Sequence, residues 1–135
     1  MTPKAKNIVA WVIAILAGGF MILQGINKFI PSEAFDQMWT DIWGYPLWFK
    51  YVIGILEVAG GLGLFLLKFR VLAALGLIGL MLGAGVTHIR ADQAEMLAMP
   101  MIPILLSAII VFLRKEELPF NPVINKDTSI EKEIV

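Results

Sequence analysis

Four stretches of this chain, residues 8–26, 51–67, 71–87 and 96–113, hold no charged side chain except one, Glu57. Each is close to the roughly 20 residues an α-helix needs to cross the apolar core of a bilayer. With 59% hydrophobic and 16% charged residues, the chain is too apolar for an ordinary soluble domain. The expected fold is all-α: a polytopic membrane four-helix bundle with helices at about residues 8–27, 47–67, 71–89 and 97–113. The second helix starts at 47 if Lys50 snorkels to the interface. These helices form a transmembrane domain over residues 1–115. A cytoplasmic tail over residues 116–135 follows, with Pro119, Pro122 and mixed charge.

Lys4 and Lys6 precede the first stretch as they would in a signal peptide. The small residues Ala17-Gly18-Gly19 fall inside the apolar run rather than after it, so an uncleaved helix is expected. Lys4, Lys6, Lys68, Arg70, Arg114 and Lys115 flank the helix ends on one side, against Lys28, Lys50 and Arg90 on the other. The excess predicts a multi-pass protein of the cell (inner) membrane with both termini cytoplasmic.

The outer connection between the first two helices is long enough to hold structure. Phe35, Met38, Trp39, Ile42 and Trp43 recur at helical spacing, while Glu33, Asp36, Gln37, Thr40 and Asp41 take the other face. This predicts an amphipathic interfacial helix over about residues 32–43, capped by Ser32 and ended by Gly44. Trp39, Trp43, Tyr45 and Trp48 would be its interfacial anchors. The simpler reading is a lid that only anchors the bundle; the sharper one is a binding platform.

Glu57 has Gly54, Gly60 and Gly61 at −3, +3 and +4, so it shares a helix face with residues that let a neighbouring backbone approach. Gly79 and Gly83, with Gly76 on the same stripe, form a GxxxG, and Ala14 and Gly18 are another small pair; both favour tight helix packing. Pro100 and Pro103 are expected near the start of the fourth helix, where a missing N–H costs least. The polar residues Gln24, Lys28, Thr87, His88 and Arg90 cluster toward the outer ends of their helices. With Ser107 and Asn7 alone toward the other side, an outward-opening polar pocket floored by Glu57 is expected.

Duller readings stand beside this one. Glu57 could be a protonated, hydrogen-bonded packing residue, although ionisable groups within a membrane are functional by default. Lys28 and Arg90 lie at helix ends, where snorkelling is the ordinary explanation, and a single histidine is usually a satisfied hydrogen-bonding group. A direct Lys28–Glu57 pair looks strained by depth, about two helical turns apart at 1.5 Å per residue. A water-mediated network or a protonated carboxyl is expected instead.

The chain has no cysteine and one histidine. That excludes a dithiol relay, an iron–sulfur cluster and a thiolate nucleophile, and leaves too few ligands for a closed metal site. No phosphate-cradling glycine loop is present, and the formal net charge of +0 excludes a basic nucleic-acid surface.

The ending "GINKF" of the first helix, the glycine-flanked glutamate of "GILEVAGGLGLF" and the following "RVLAALGLIGLMLGAGVTH" resemble the DoxX and DoxX-like family of four-helix integral membrane proteins. The resemblance runs from about Gly19 to Arg114. It implies kinship with the small membrane subunit of thiosulfate:quinone oxidoreductase, with members linked to quinone or redox stress, and with a branch of receptor-assembly chaperones. It also places Lys28, Glu57 and His88 where the family keeps polar groups.

Two functional classes stay open. One is a quinone- or lipid-binding membrane subunit with no intrinsic cofactor, in which Lys28, His88 or Arg90 hydrogen-bonds a carbonyl oxygen and Glu57 exchanges protons, with Gln24 and Thr87 in the same pocket. The other is a non-enzymatic assembly protein whose partner is another membrane protein or a second copy of itself. The bilayer is a partner in both, and nucleic acid in neither.

Overall fold

Thr2 opens the first helix of the computed structural model, which describes residues 1–117. The Thr2 side chain accepts a hydrogen bond from Ala5 N at 3.1 Å, and Pro3 occupies the first turn, where its missing N–H costs little. Helix α1 therefore runs Pro3–Asn27. It starts ahead of the expected residue 8 because Lys4 and Lys6 limit burial in lipid, not helix formation. Most of the expected tail, residues 118–135, lies outside the described residues.

The connection that follows α1 divides in two. Helix α2 spans Glu33–Gln37, its start capped by Ser32 Oγ, which accepts from Phe35 N at 3.3 Å. The chain then widens into a π-helical turn over Met38–Ile42, so the single helix expected over residues 32–43 changes its hydrogen-bond pattern midway. Gly44, at φ +73°, ends the segment as expected. Tyr45 N donates back to Trp39 O at 2.9 Å.

Helix α3 spans Leu47–Gly63, α4 spans Arg70–Arg90 and α5 spans Ala98–Arg114. No strand occurs among the described residues. Three helical segments, Pro3–Asn27, Arg70–Arg90 and Ala94–Glu117, are long and apolar enough to cross a membrane. At 17 residues, α3 is about 25 Å long. It stops short of the expected residue 67 because the chain beyond Gly63 tightens into turns, with Phe65 N bonded to Leu62 O and Leu66 N to Gly63 O. Pro100 sits in the first turn of α5, where it was expected, but Pro103 lies inside the helix and is fully buried.

Helix α1 packs against α3 and α5, and α4 packs against α5 and α3. The apolar core where they meet includes Ala14, Ala17, Met21, Leu64, Leu77, Met81 and Ile110. The α1–α3 seam is built on missing side chains. A methyl group placed at Gly25 would stand 2.6 Å from Gly54 O, and one at Gly61 would stand 2.8 Å from Gly18 O. These contacts set an antiparallel register with Gly25 level with Gly54 and Gly18 level with Gly61. Gly60 receives Leu77 and Gly63 receives Ala73, which joins α3 to α4 near their shared turn. The GxxxG stripe of α4 behaves differently from its expectation: methyl groups at Gly76, Gly79 and Gly83 would meet nothing within 4 Å. It closes no seam between helices.

Candidate functional site

The register of the α1–α3 seam decides how Lys28 meets Glu57. Lys28 caps the C-terminus of α1, and its Cβ lies beside Gly54, one turn above Glu57 on α3. Side chains on a helix lean toward its N-terminus. In antiparallel neighbours this tilts Lys28 down toward Glu57 and Glu57 up toward Lys28. Their charged ends meet, with Lys28 Nζ 2.6 Å from Glu57 Oε2. The contact is a buried ion pair between two helices. Lys28 Nζ also donates to Gln24 O at 3.4 Å.

This overturns the expectation that depth keeps Lys28 and Glu57 from direct contact. A separation of two turns assumed that α3 begins level with Lys28, whereas the register sets the first turn of α3 above the end of α1. The Lys28 head also does not snorkel outward. Lys28 and Glu57 are 7% and 4% exposed, a buried pair rather than a surface anchor.

A cavity of about 380 Å³ reaches this pair, within the size range of small-molecule sites. Phe49, Ile53 and Glu57 line one face of α3 at successive turns; Met21, Gln24 and Lys28 face it from α1; Met99 and Pro100 close it from α5. Gly79 and Gly83 form part of the α4 wall. Their missing side chains leave room for the cavity rather than for a neighbouring helix. The wider π-helical turn carries Met38 and Trp39 over it from above. Trp39 is 5% exposed and stacks edge-on with Phe35, Trp43 and Phe49. Of the four residues expected as interfacial anchors, Trp39, Trp43 and Tyr45 turn to the cavity and only Trp48, at 63% exposure, faces outward.

Two further polar groups stand in the wall. His88 Nδ1 lies 3.2 Å from Gln93 Oε1, which also accepts from Trp43 Nε1 at 2.9 Å. Tyr45 Oη lies 2.9 Å from Thr87 Oγ1, and Thr87 Oγ1 donates to Gly83 O at 3.0 Å. Glu57, Lys28, Gln24, Thr87 and His88 thus border one cavity. Arg90 does not: it is exposed and borders only a separate pocket of about 70 Å³ with Thr87 and Tyr45. Two residues past His88 on the helix, its side chain is carried round to the outer surface.

Three buried polar arrangements were not expected from the sequence. Lys50, 1% exposed, pairs with Asp36 and lies 4.7 Å from the centre of the Tyr51 ring. It fastens α2 to α3 instead of snorkelling, and Asp36 leaves the solvent face assigned to it. Standing a heptad before Glu57 among aromatic residues, Lys50 carried a signal that an anchor reading absorbed. Arg70 is fully buried, with its guanidinium 4.1 Å from the Trp11 ring and Nε donating to Leu64 O at 2.7 Å. Its charge had placed it among the basic flanks. Gln93 carried no signal, because it reaches His88 only through the turn at Asp92, whose φ is +57°. Among the described residues, no three His, Asp or Glu side chains converge as a metal site.

A family model described as the DoxX-like family matches residues 12–110. That span holds α2, α3 and α4 whole, most of α1 and α5, and every side chain of the cavity. No curated protein and no solved structure matches the chain.

Proposed function

The chain belongs to the DoxX-like family of membrane proteins, and on that premise we propose that it is a small membrane subunit that holds a quinone or another lipid-soluble ligand. The observation that carries this reading is the cavity, apolar along most of its wall and bordered by the buried Lys28–Glu57 pair. An apolar body with one polar head matches such a lining. Lys28 Nζ has donor capacity beyond Gln24 O and Glu57, and Glu57 is the group placed to take or give a proton. The chain offers no electron carrier of its own, so any redox chemistry would belong to the ligand and a partner subunit.

In this reading α3 is a fourth span beside the three longer segments, completed by the apolar residues Leu64–Leu67, and the bundle has four helices. The α2 segment lies in the outer interface, the pocket opens outward with Glu57 at its floor, and both termini are cytoplasmic in the inner membrane. A reporter inserted at Ser32 should then be external and one fused after Val135 cytoplasmic; the reverse pattern overturns the orientation. The alternative, a non-enzymatic assembly protein, draws less support, since its glycine stripe borders the cavity at Gly79 and Gly83.

Mass spectrometry of lipid extracts from the purified protein tests the binding function. A quinone or isoprenoid should co-purify with the parent and be depleted in Glu57→Gln and Lys28→Met. Equal lipid content in all three proteins, with no enriched species, overturns it.

A further inference from the structure

The hydrogen atoms around the cavity can be assigned by elimination. An indole N–H can only donate, so the Gln93 atom facing Trp43 Nε1 at 2.9 Å is the amide oxygen. That same oxygen can only accept, so His88 Nδ1, 3.2 Å away, carries a hydrogen. A neutral His88 then has its lone pair on Nε2, which makes no hydrogen bond to a described residue. Thr87 has one hydroxyl hydrogen and donates it to Gly83 O. Tyr45 must therefore donate to Thr87 Oγ1, which leaves Tyr45 Oη able only to accept. Trp39 Nε1, a nearby donor, is sealed from the cavity.

Both His88 and Tyr45 border the cavity, Tyr45 and Thr87 border the smaller pocket as well, and the atoms left free on both side chains, His88 Nε2 and Tyr45 Oη, are acceptors. The Lys28 ammonium and the Gln24 side-chain amide are the donors, on another part of the wall. We infer that the cavity selects a ligand bearing a hydroxyl group, which donates to His88 Nε2 or Tyr45 Oη, over the matching carbonyl or ether compound. This rests on the proposed ligand-binding function and deepens it. A phenol, a quinol and an isoprenoid alcohol share this chemistry; a quinone carbonyl at the His88 end would face lone pairs with no hydrogen between them. Gln93 is the positioning residue, since it holds the hydrogen on Nδ1.

Quenching of tryptophan fluorescence can follow binding by the full chain in detergent. The probes are 4-decylphenol and 4-decylanisole, which differ by one donor hydrogen and a methyl group, and a decyl-substituted benzoquinol with its quinone. The phenol and the quinol should each bind about tenfold more tightly than their partners. A long-chain isoprenoid alcohol and its methyl ether, run alongside, separate a general alcohol preference from a phenolic one.

Gln93→Leu and Tyr45→Phe should each narrow the phenol–anisole gap, with the thermal unfolding midpoint of each variant in detergent showing that it is folded. Equal binding of phenol and anisole to the parent overturns this inference and leaves the ligand-binding function standing. Failure of every probe to bind overturns both. A gap that persists undiminished in Gln93→Leu and in Tyr45→Phe shows that these acceptors do not carry the selection.

Discussion

Helices α3 and α4 are both rich in glycine and use it in opposite ways. In α3 every glycine is filled by a neighbour: Gly54 by α1 near Gly25, Gly61 by the Gly18 carbonyl, Gly60 by Leu77 and Gly63 by Ala73. In α4, Gly76, Gly79, Gly83 and Gly85 meet nothing within 4 Å. One helix omits side chains so that a backbone can approach. The other omits them where no neighbour stands, and two of its four, Gly79 and Gly83, border the cavity. A small-xxx-small spacing is therefore a statement about absent volume, and the partner helix decides whether the volume is closed.

The Lys28–Glu57 pair stands where the closed seam meets the cavity, and it should give the largest effect. Lys28→Met leaves a carboxylate in an apolar wall without its cation and is expected to cost about 3–5 kcal/mol. Thermal unfolding in detergent would register this as a large drop in midpoint. The double replacement Lys28→Met with Glu57→Leu should recover most of the loss, because an apolar pair of similar size is tolerated in place of a buried ion pair, while ligand retention stays lost. A Lys28→Met protein as stable as the parent would remove the pair from the seam altogether.

Next in size is the seam itself. A methyl group at Gly61 collides with the Gly18 carbonyl, and backbone cannot give way as the end of a flexible side chain can. Gly61→Ala should therefore cost about 1–3 kcal/mol by overpacking, read as a lower unfolding midpoint. No loss on this substitution would mean that α1 and α3 pack less closely than their register implies.

How much of this could be read from sequence follows from what each element depends on. The apolar runs, the Ser32 cap and the Gly44 stop depend on residues within a few positions of one another, and they were legible. Gly44 ends its segment because a left-handed residue does so wherever it stands. The Lys28–Glu57 contact depends on the register between two helices. That register is set by Gly18, Gly25, Gly54 and Gly61 acting together, and spacing along either helix alone does not reveal it. Lys50 and Arg70 were misplaced for a related reason: a basic residue near a helix end looks the same whether it reaches water or a buried aromatic ring. The stripe of α4 was read as a seam because nothing local separates a glycine that admits a helix from one that borders a cavity.

A third test separates those two uses directly. Gly83→Leu places a side chain where Gly83 borders the cavity, with no backbone in its way. Stability should change by less than about 0.5 kcal/mol, while retention of the co-purifying lipid falls severalfold. A destabilisation as large as that of Gly61→Ala would show that α4 closes a seam after all.

The smallest effect, and the sharpest in sign, is expected at Gly76. It lies in the middle of α4, is exposed, does not border the cavity, and a methyl group there meets nothing. Steric cost is therefore absent, and what remains is the backbone term: alanine loses less conformational freedom than glycine on entering a helix. In water that difference is about 0.5–1 kcal/mol in favour of alanine, and it should be smaller where the surrounding lipid already favours the helical state. Gly76→Ala should leave the unfolding midpoint unchanged or raise it slightly, and leave lipid content as it was. Gly→Ala is then the same chemical change with opposite signs in the two helices, destabilising at Gly61 and neutral to stabilising at Gly76. Destabilisation at Gly76 comparable to that at Gly61 would mean that the exposed stripe of α4 is covered by a close partner in the membrane, and the contrast between the two helices would be lost.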